Sequence, residues 1–293
     1  MNEETVKSPA VNTTDREYLK NKKRIVVKIG SSSLVHPETG CTDLNRIEKL
    51  VRVLSDLANS GKEVILVSSG AIPIGRKALG MTHRPEKKSE KQACAAVGQA
   101  NLMMLYQKLF AEYQHIVAQV LLTKYTVLEE ESRKNAENTF NELLGMGVIP
   151  IVNENDTVAT DEIEFGDNDT LSAIVTALVN ADLLILLSDI DGLYTDDPRT
   201  NPQARFIDTV ESVSEEIASM GKGVGSDFGT GGMMTKISAA RIASESGADM
   251  VIANSRDISV VSAIINGQRA GTLFKAHKTG DFQLTDHLKR GLQ

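Results

Sequence analysis

The stretch RIVVKIG, Arg24–Gly30, is β-branched and apolar but for one interior lysine, and it closes on glycine. A short apolar run without polar alternation is what a strand covered on both faces requires, and such strands build parallel sheets. The same look returns at EVILVSSG (Glu63–Gly70), HIVAQVLL (His115–Leu122), VIPIVN (Val148–Asn153), LLILLSD (Leu183–Asp189) and DMVIANS (Asp249–Ser255), with shorter candidates at ARFIDTV (204–210) and GTLFK (271–275). Helical spacing fills the intervals. Leu44, Ile47, Leu50, Val51, Leu54 and Leu57 recur at helix period before Gly61 closes the run. Further helices are predicted over Glu90–Tyr113, around Phe140, Leu143 and Leu144, over Leu171–Val179, and after the glycine-rich FGTGGMMTK (Phe228–Lys236). Strands alternating with helices predict an α/β fold, a three-layer αβα sandwich with a mostly parallel central sheet. TVATDEIEFGDND (Thr157–Asp169) alternates and turns, so it reads as a small hairpin or lid. Residues 1–23 are polar and read as a flexible lead-in.

Composition excludes several function classes. The chain has 293 residues, a net charge of −7, 4% aromatic residues and no Trp. That balance argues against a nucleic-acid binder or an anionic-membrane binder, and it offers no base-stacking surface. No run of about eighteen apolar residues exists, so no membrane span is expected. The start of the chain lacks the apolar stretch of a signal peptide, so the expected location is cytoplasmic. Cys41 and Cys94 form no CxxC, and the five histidines show no metal-ligand spacing, so no protein metal site is expected.

In sheets of this kind ligands bind beyond the carboxyl ends of the strands. Four groups stand there: Lys28-Ile29-Gly30-Ser31, Ser68-Ser69-Gly70, Asn153-Glu154-Asn155-Asp156 and Ser188-Asp189. A glycine turn ahead of a helix aims backbone N–H groups at phosphate, and such a turn delivers Lys236. The Walker A pattern is not satisfied at Gly61-Lys62-Glu63 or at Gly221-Lys222-Gly223, and H-R-D does not occur. GVGSDFG (Gly223–Gly229) has one residue too many for a dinucleotide fingerprint. Two lysines from opposite ends of the chain, meeting over one sheet edge, would suit phosphoryl transfer. Taken singly, each has an ordinary reading. Lys28 could be a snorkelling lysine, Lys236 a plain helix lysine, Ser69 a turn residue, Met233 and Met234 packing, and Asp169 the cap of the helix near Leu171.

Read together, VVKIGSSSLV, VSSGAI, AAVGQ, PIVNENDTVAT, GDNDTLSA, LLSDIDGLYTDDPRTNP, GTGGMMTK and GTLF resemble the glutamate 5-kinases of the amino acid kinase family, in order and from about Arg24 to Phe274. NENDTVAT and GDNDTLSA separate that group from the aspartate, acetylglutamate, carbamate and uridylate kinases. The resemblance implies ATP-dependent phosphorylation of the γ-carboxylate of L-glutamate, the first step of proline biosynthesis. Lys28 and Lys236 would stabilise the phosphoryl group in flight, and Asp169 would hold both lysines. Ser69, Asp156 and Asn168 would bind glutamate. Lys28, Ser188, Asp189 and the stretch Thr230, Gly231, Gly232, Met233, Met234, Thr235 and Lys236 would bind ATP, with Mg²⁺ bridging its phosphates. The kinase domain would span 24–275, with a glutamate-binding half to about 180 and a nucleotide-binding half from 181. Residues 276–293 are expected to be a C-terminal tail, without the PUA domain that many bacterial members of the resembled group carry. Implied partners are proline as feedback inhibitor, a second copy in a homo-oligomer, and a glutamyl phosphate reductase that takes over the labile product. Another carboxylate kinase of the family, or a non-catalytic amino-acid sensor, is the alternative reading.

Overall fold

The structure, a computed structural model, describes residues 15–160, 165–220, 232–280 and 282–290. Its first strand, β1 (Arg24–Ile29), has β2 (Glu63–Ser68) on one side and β5 (Leu183–Ser188) on the other, both parallel, with Lys28 opposite Val67 and Leu186. Outward from β2 lie β4 (Ile149–Glu154) and then β3 (Val117–Leu122). Outward from β5 lie β9 (Asp249–Asn254), β10 (Thr272–Phe274) and β8 (Thr209–Val210). The β9–β10 pair is antiparallel, and every other pair in this eight-stranded sheet is parallel. β6 (Leu193–Tyr194) and β7 (Phe206–Ile207) form a separate two-stranded ribbon.

Strand side chains alternate between faces, so each central strand feeds two cores. Ile25, Val27 and Ile29 meet α1 (Leu44–Asn59), α3 (Lys88–Ala111) and α9 (Val260–Ile265). Val26 of β1, with Ile65 and Val67 of β2, meets α5 (Glu130–Gly145), α6 (Asn168–Leu178) and α8 (Met233–Ser246). The predicted three-layer αβα sandwich is present.

Shorter helices complete it: α2 (Ala71–Ala78), α4 (Lys124–Leu128), α7 (Glu215–Met220) and α10 (Leu284–Arg290). Helices α2 and α3 cross at two glycines. A Cβ on Gly75 would lie 1.8 Å from the Cys94 carbonyl oxygen, and one on Gly98 would lie 1.7 Å from that of Ala71. Neither position has room for any side chain.

The lead-in differs from expectation over its described part. Arg16 is fully buried. Its guanidinium donates to the carbonyls of Ala270 (2.8 Å), Asp208 (2.6 Å) and Gly271 (3.1 Å). Tyr18 and Lys22 both reach the buried Asp249 carboxylate, and Leu19 enters the core. Residues 16–22 are a strap across the far half of the sheet, because three carbonyls and an apolar slot there need partners. The proposed hairpin or lid lies partly outside the described residues. Its described portion is a turn at 156–158 and the entry to α6.

Candidate active site

Alternation along β1 puts Lys28 on the same face as Val26, the face covered by α6 and α8. The side chain ends 2.5 Å from Asp169 Oδ1. Asp169 lies in the first turn of α6, and its other oxygen lies 3.1 Å from Lys236 Nζ of α8. Thr235 Oγ1 donates to that same oxygen at 3.0 Å. All three charged side chains are buried, with Asp169 exposing 1% of its surface. One carboxylate therefore stands between two ammonium groups and leaves the cluster net positive. Burial opposes ionisation of Asp169, but Lys28 and Lys236 outweigh it and hold its pKa below the ordinary carboxylate value.

Helix α6 is capped by Asp167 rather than by Asp169, which corrects the capping role considered from the sequence. Asp167 accepts from the Thr170 amide at 2.7 Å and from its hydroxyl at 2.8 Å. Its own pKa is raised by burial and by the Asp169 charge, against those hydrogen bonds. With capping done by its neighbour, Asp169 is free to face the lysines. Helix α8 begins after Gly232, and among the described residues no side chain caps it, so its first amides suit an anion. Thr230 and Gly231 lie outside the described residues. Gly232, Met233, Thr235 and Lys236 start α8, and Met234 on the same turn is 43% exposed.

Ser188 ends β5 and donates to the exposed Asp189 at 3.0 Å, on the strand next to β1. On the other side a chain of amides reaches toward β2. Asn168 Nδ2 donates to Ser69 Oγ at 2.7 Å and to Asn153 Oδ1 at 2.9 Å. Asn153 Nδ2 in turn donates to Gln99 Oε1 at 3.0 Å. Ser69 and Asn168 are thus brought together. Asp156 lies on the turn beyond β4, where it lines a cavity with Ile72 and the start of α3. Neither Asn153 nor Gln99 was given a specific role from the sequence, although Asn153 stands in the Asn153–Asp156 group at the ligand edge of the sheet. Asn153 was visible as a polar residue at the buried end of a strand, whereas Gln99 carried no signal beyond its place in AAVGQ.

A lysine pair held by one buried aspartate, beside the start of α8 and an amide-lined cleft, is equipped to bind phosphate next to a small polar acceptor. The profile of the Amino acid kinase family matches residues 23–254. The chain belongs to the amino acid kinase family. Among its relatives is a protein named Glutamate 5-kinase from Clostridium perfringens, 53% identical over 90% of this chain and 99% of that one. Another, of the same name, from Carboxydothermus hydrogenoformans is 56% identical over 90% of this chain and 70% of that one. Among solved structures, UMP kinase from Bacillus anthracis superposes with a TM-score of 0.59 at 17% identity, over 87% of this chain and 96% of that one, and so shares the fold. The resemblance to glutamate 5-kinases holds along almost the whole of this kinase. Among its described residues no helix is long and apolar enough to cross a membrane, and no three His, Cys, Asp or Glu side chains gather as a metal site.

Proposed function

We propose that this kinase transfers the γ-phosphoryl group of ATP to the γ-carboxylate of L-glutamate, giving L-glutamyl 5-phosphate. The observation that carries the reading is the buried Lys28–Asp169–Lys236 cluster. A carboxylate acceptor with a pKa near 4.3 is already an anionic nucleophile at neutral pH, so the reaction asks for cations and no general base. Lys28 and Lys236 neutralise charge on the moving phosphoryl group, and Asp169 fixes where they stand. Ser69 and Asn168 orient the acceptor, and Asp156 takes its α-ammonium group. The start of α8, with Ser188 and Asp189, holds the nucleotide phosphates. Mg²⁺ would be carried mainly by those phosphates, which it commonly favours over an all-protein cage, and would neutralise their charge. Strand order supports the division into a glutamate half, to about 180, and a nucleotide half, since β1 to β4 are contiguous in the sheet and β1 adjoins β5.

In the same reading proline competes with glutamate because it has the α-carboxylate and cationic nitrogen without the accepting carboxylate. The enzyme works as a cytoplasmic homo-oligomer and passes its labile product to a reductase. The test is ADP release with Mg²⁺ and a panel of amino acids, with hydroxylamine trapping the product as a hydroxamate. Release dependent on L-glutamate is expected. Turnover of aspartate, acetylglutamate or UMP in its place refutes the assignment.

A further inference from the structure

Beside Asp156 opens a cavity of about 140 Å³. Its wall includes Ile72 of α2, three residues beyond Ser69, together with Glu86, Lys88, Lys91 and Gln92 around the start of α3. Gln92 donates to the Ala159 carbonyl at 3.4 Å, which joins this end of α3 to the turn that carries Asp156. Lys88 and Lys91 are one helical turn apart and share a face. Two ammonium groups against the Glu86 carboxylate leave this wall net positive, and Asp156 supplies negative charge to the same cavity. Opposite charges at two points of one small cavity match the ammonium and carboxylate of an α-amino acid. Lys28 and Lys236, held by Asp169, are assigned to the phosphoryl group in the proposed reaction, so the α-carboxylate calls for a cation of its own.

We propose that Lys91, with Lys88 beside it, binds the α-carboxylate of the amino-acid substrate and makes the site selective for a free α-amino acid. This inference rests on the glutamate-kinase reading and adds to it the residue that recognises the other end of the head group. Ile72 lines the cavity on the α2 side, and the exposed Lys91 ammonium exchanges solvent for substrate on binding.

The discriminating ligand is the α-amide of L-glutamate, which keeps the γ-carboxylate and the α-ammonium but lacks the α-carboxylate. The intact enzyme, Lys91→Met and Lys88→Met/Lys91→Met are compared for KM with L-glutamate, with the α-amide and with MgATP. KM for L-glutamate should rise about tenfold in Lys91→Met and further in the double variant, the scale of one charge-assisted hydrogen bond partly shielded by water. KM for the α-amide and for MgATP should stay within about twofold, since neither uses the lysine, so the preference for glutamate collapses. A double variant that keeps the original preference, or that loses both amino-acid ligands equally, overturns the proposal. Calorimetric binding of L-glutamate and its α-amide reads the same head group without turnover. An intact protein that phosphorylates no glutamate therefore refutes the kinase reading separately.

Discussion

Gly98→Ala tests whether the α2–α3 crossing sets the position of the substrate cleft. The new Cβ would lie 1.7 Å from the Ala71 carbonyl oxygen and 2.6 Å from the Gly75 amide nitrogen. A carbon and a carbonyl oxygen settle no closer than about 3.3 Å, so α2 must retreat by roughly 1.6 Å. Ala71 is the first residue of α2, directly after Ser69 and Gly70, so the retreat is delivered to the cleft itself. Overpacking of this kind costs about 1–3 kcal/mol, against which alanine's better helix propensity returns at most about 1 kcal/mol. A displacement of about 1 Å at a reacting geometry costs on the order of a hundredfold in rate. The expected result is a lower urea midpoint and kcat/KM for glutamate down about a hundredfold, with KM for MgATP little changed. Gly145→Ala is the control, since its Cβ would meet nothing within 4 Å and the residue closes α5. That variant should be neutral or more stable by up to about 1 kcal/mol. A Gly98→Ala protein with the parent's urea midpoint and kcat/KM would refute the claim that this contact positions the cleft.

Three further outcomes are expected. Asp169→Asn leaves two buried ammonium groups without a counter-charge, so stability at pH 7 should fall by about 3–5 kcal/mol and turnover by a hundredfold or more, read by urea unfolding and ADP release. Because the folded pKa of Asp169 is depressed, its stabilisation is fully present above the unfolded value near 3.9 and disappears as pH falls through the folded value. Urea midpoints measured downward from pH 5 should therefore drop more steeply for the parent than for Asp169→Asn. Gln99→Leu removes the acceptor that orients Asn153, and the Gln99 amide nitrogen has no hydrogen-bond partner to lose among the described residues. KM for glutamate should rise about tenfold with KM for MgATP unchanged, and an equal rise in both would show general loosening instead.

The central strands were legible because residues covered on both faces write continuous apolar runs, and LLILLS is buried at all six positions of β5. Lys28 was legible for the same reason, as one charge inside such a run. What escaped was short or non-local. Helix α4 spans five residues and is held by a capping box between Thr123 and Thr126, while α10 packs on α4, α6 and α8. Neither has the length over which periodicity speaks. Asp167 and Asp169 are two positions apart, and only the direction in which the helix starts decides which caps it and which meets the lysines. Gln99 meets Asn153 across 54 residues of sequence, a pairing that no local pattern encodes.

The strap also fixes an order of events during synthesis. Arg16 and Gly271 are separated by 255 residues, and Arg16 and Ala270 by 254. At about 5–20 residues per second, a ribosome needs roughly 13–50 s to deliver those carbonyls after Arg16 has been made. Until then the guanidinium remains in water and Leu19 has no completed slot. Near one end of the chain, the strap must wait for β10 at the other, so its docking records that the whole sheet has been made.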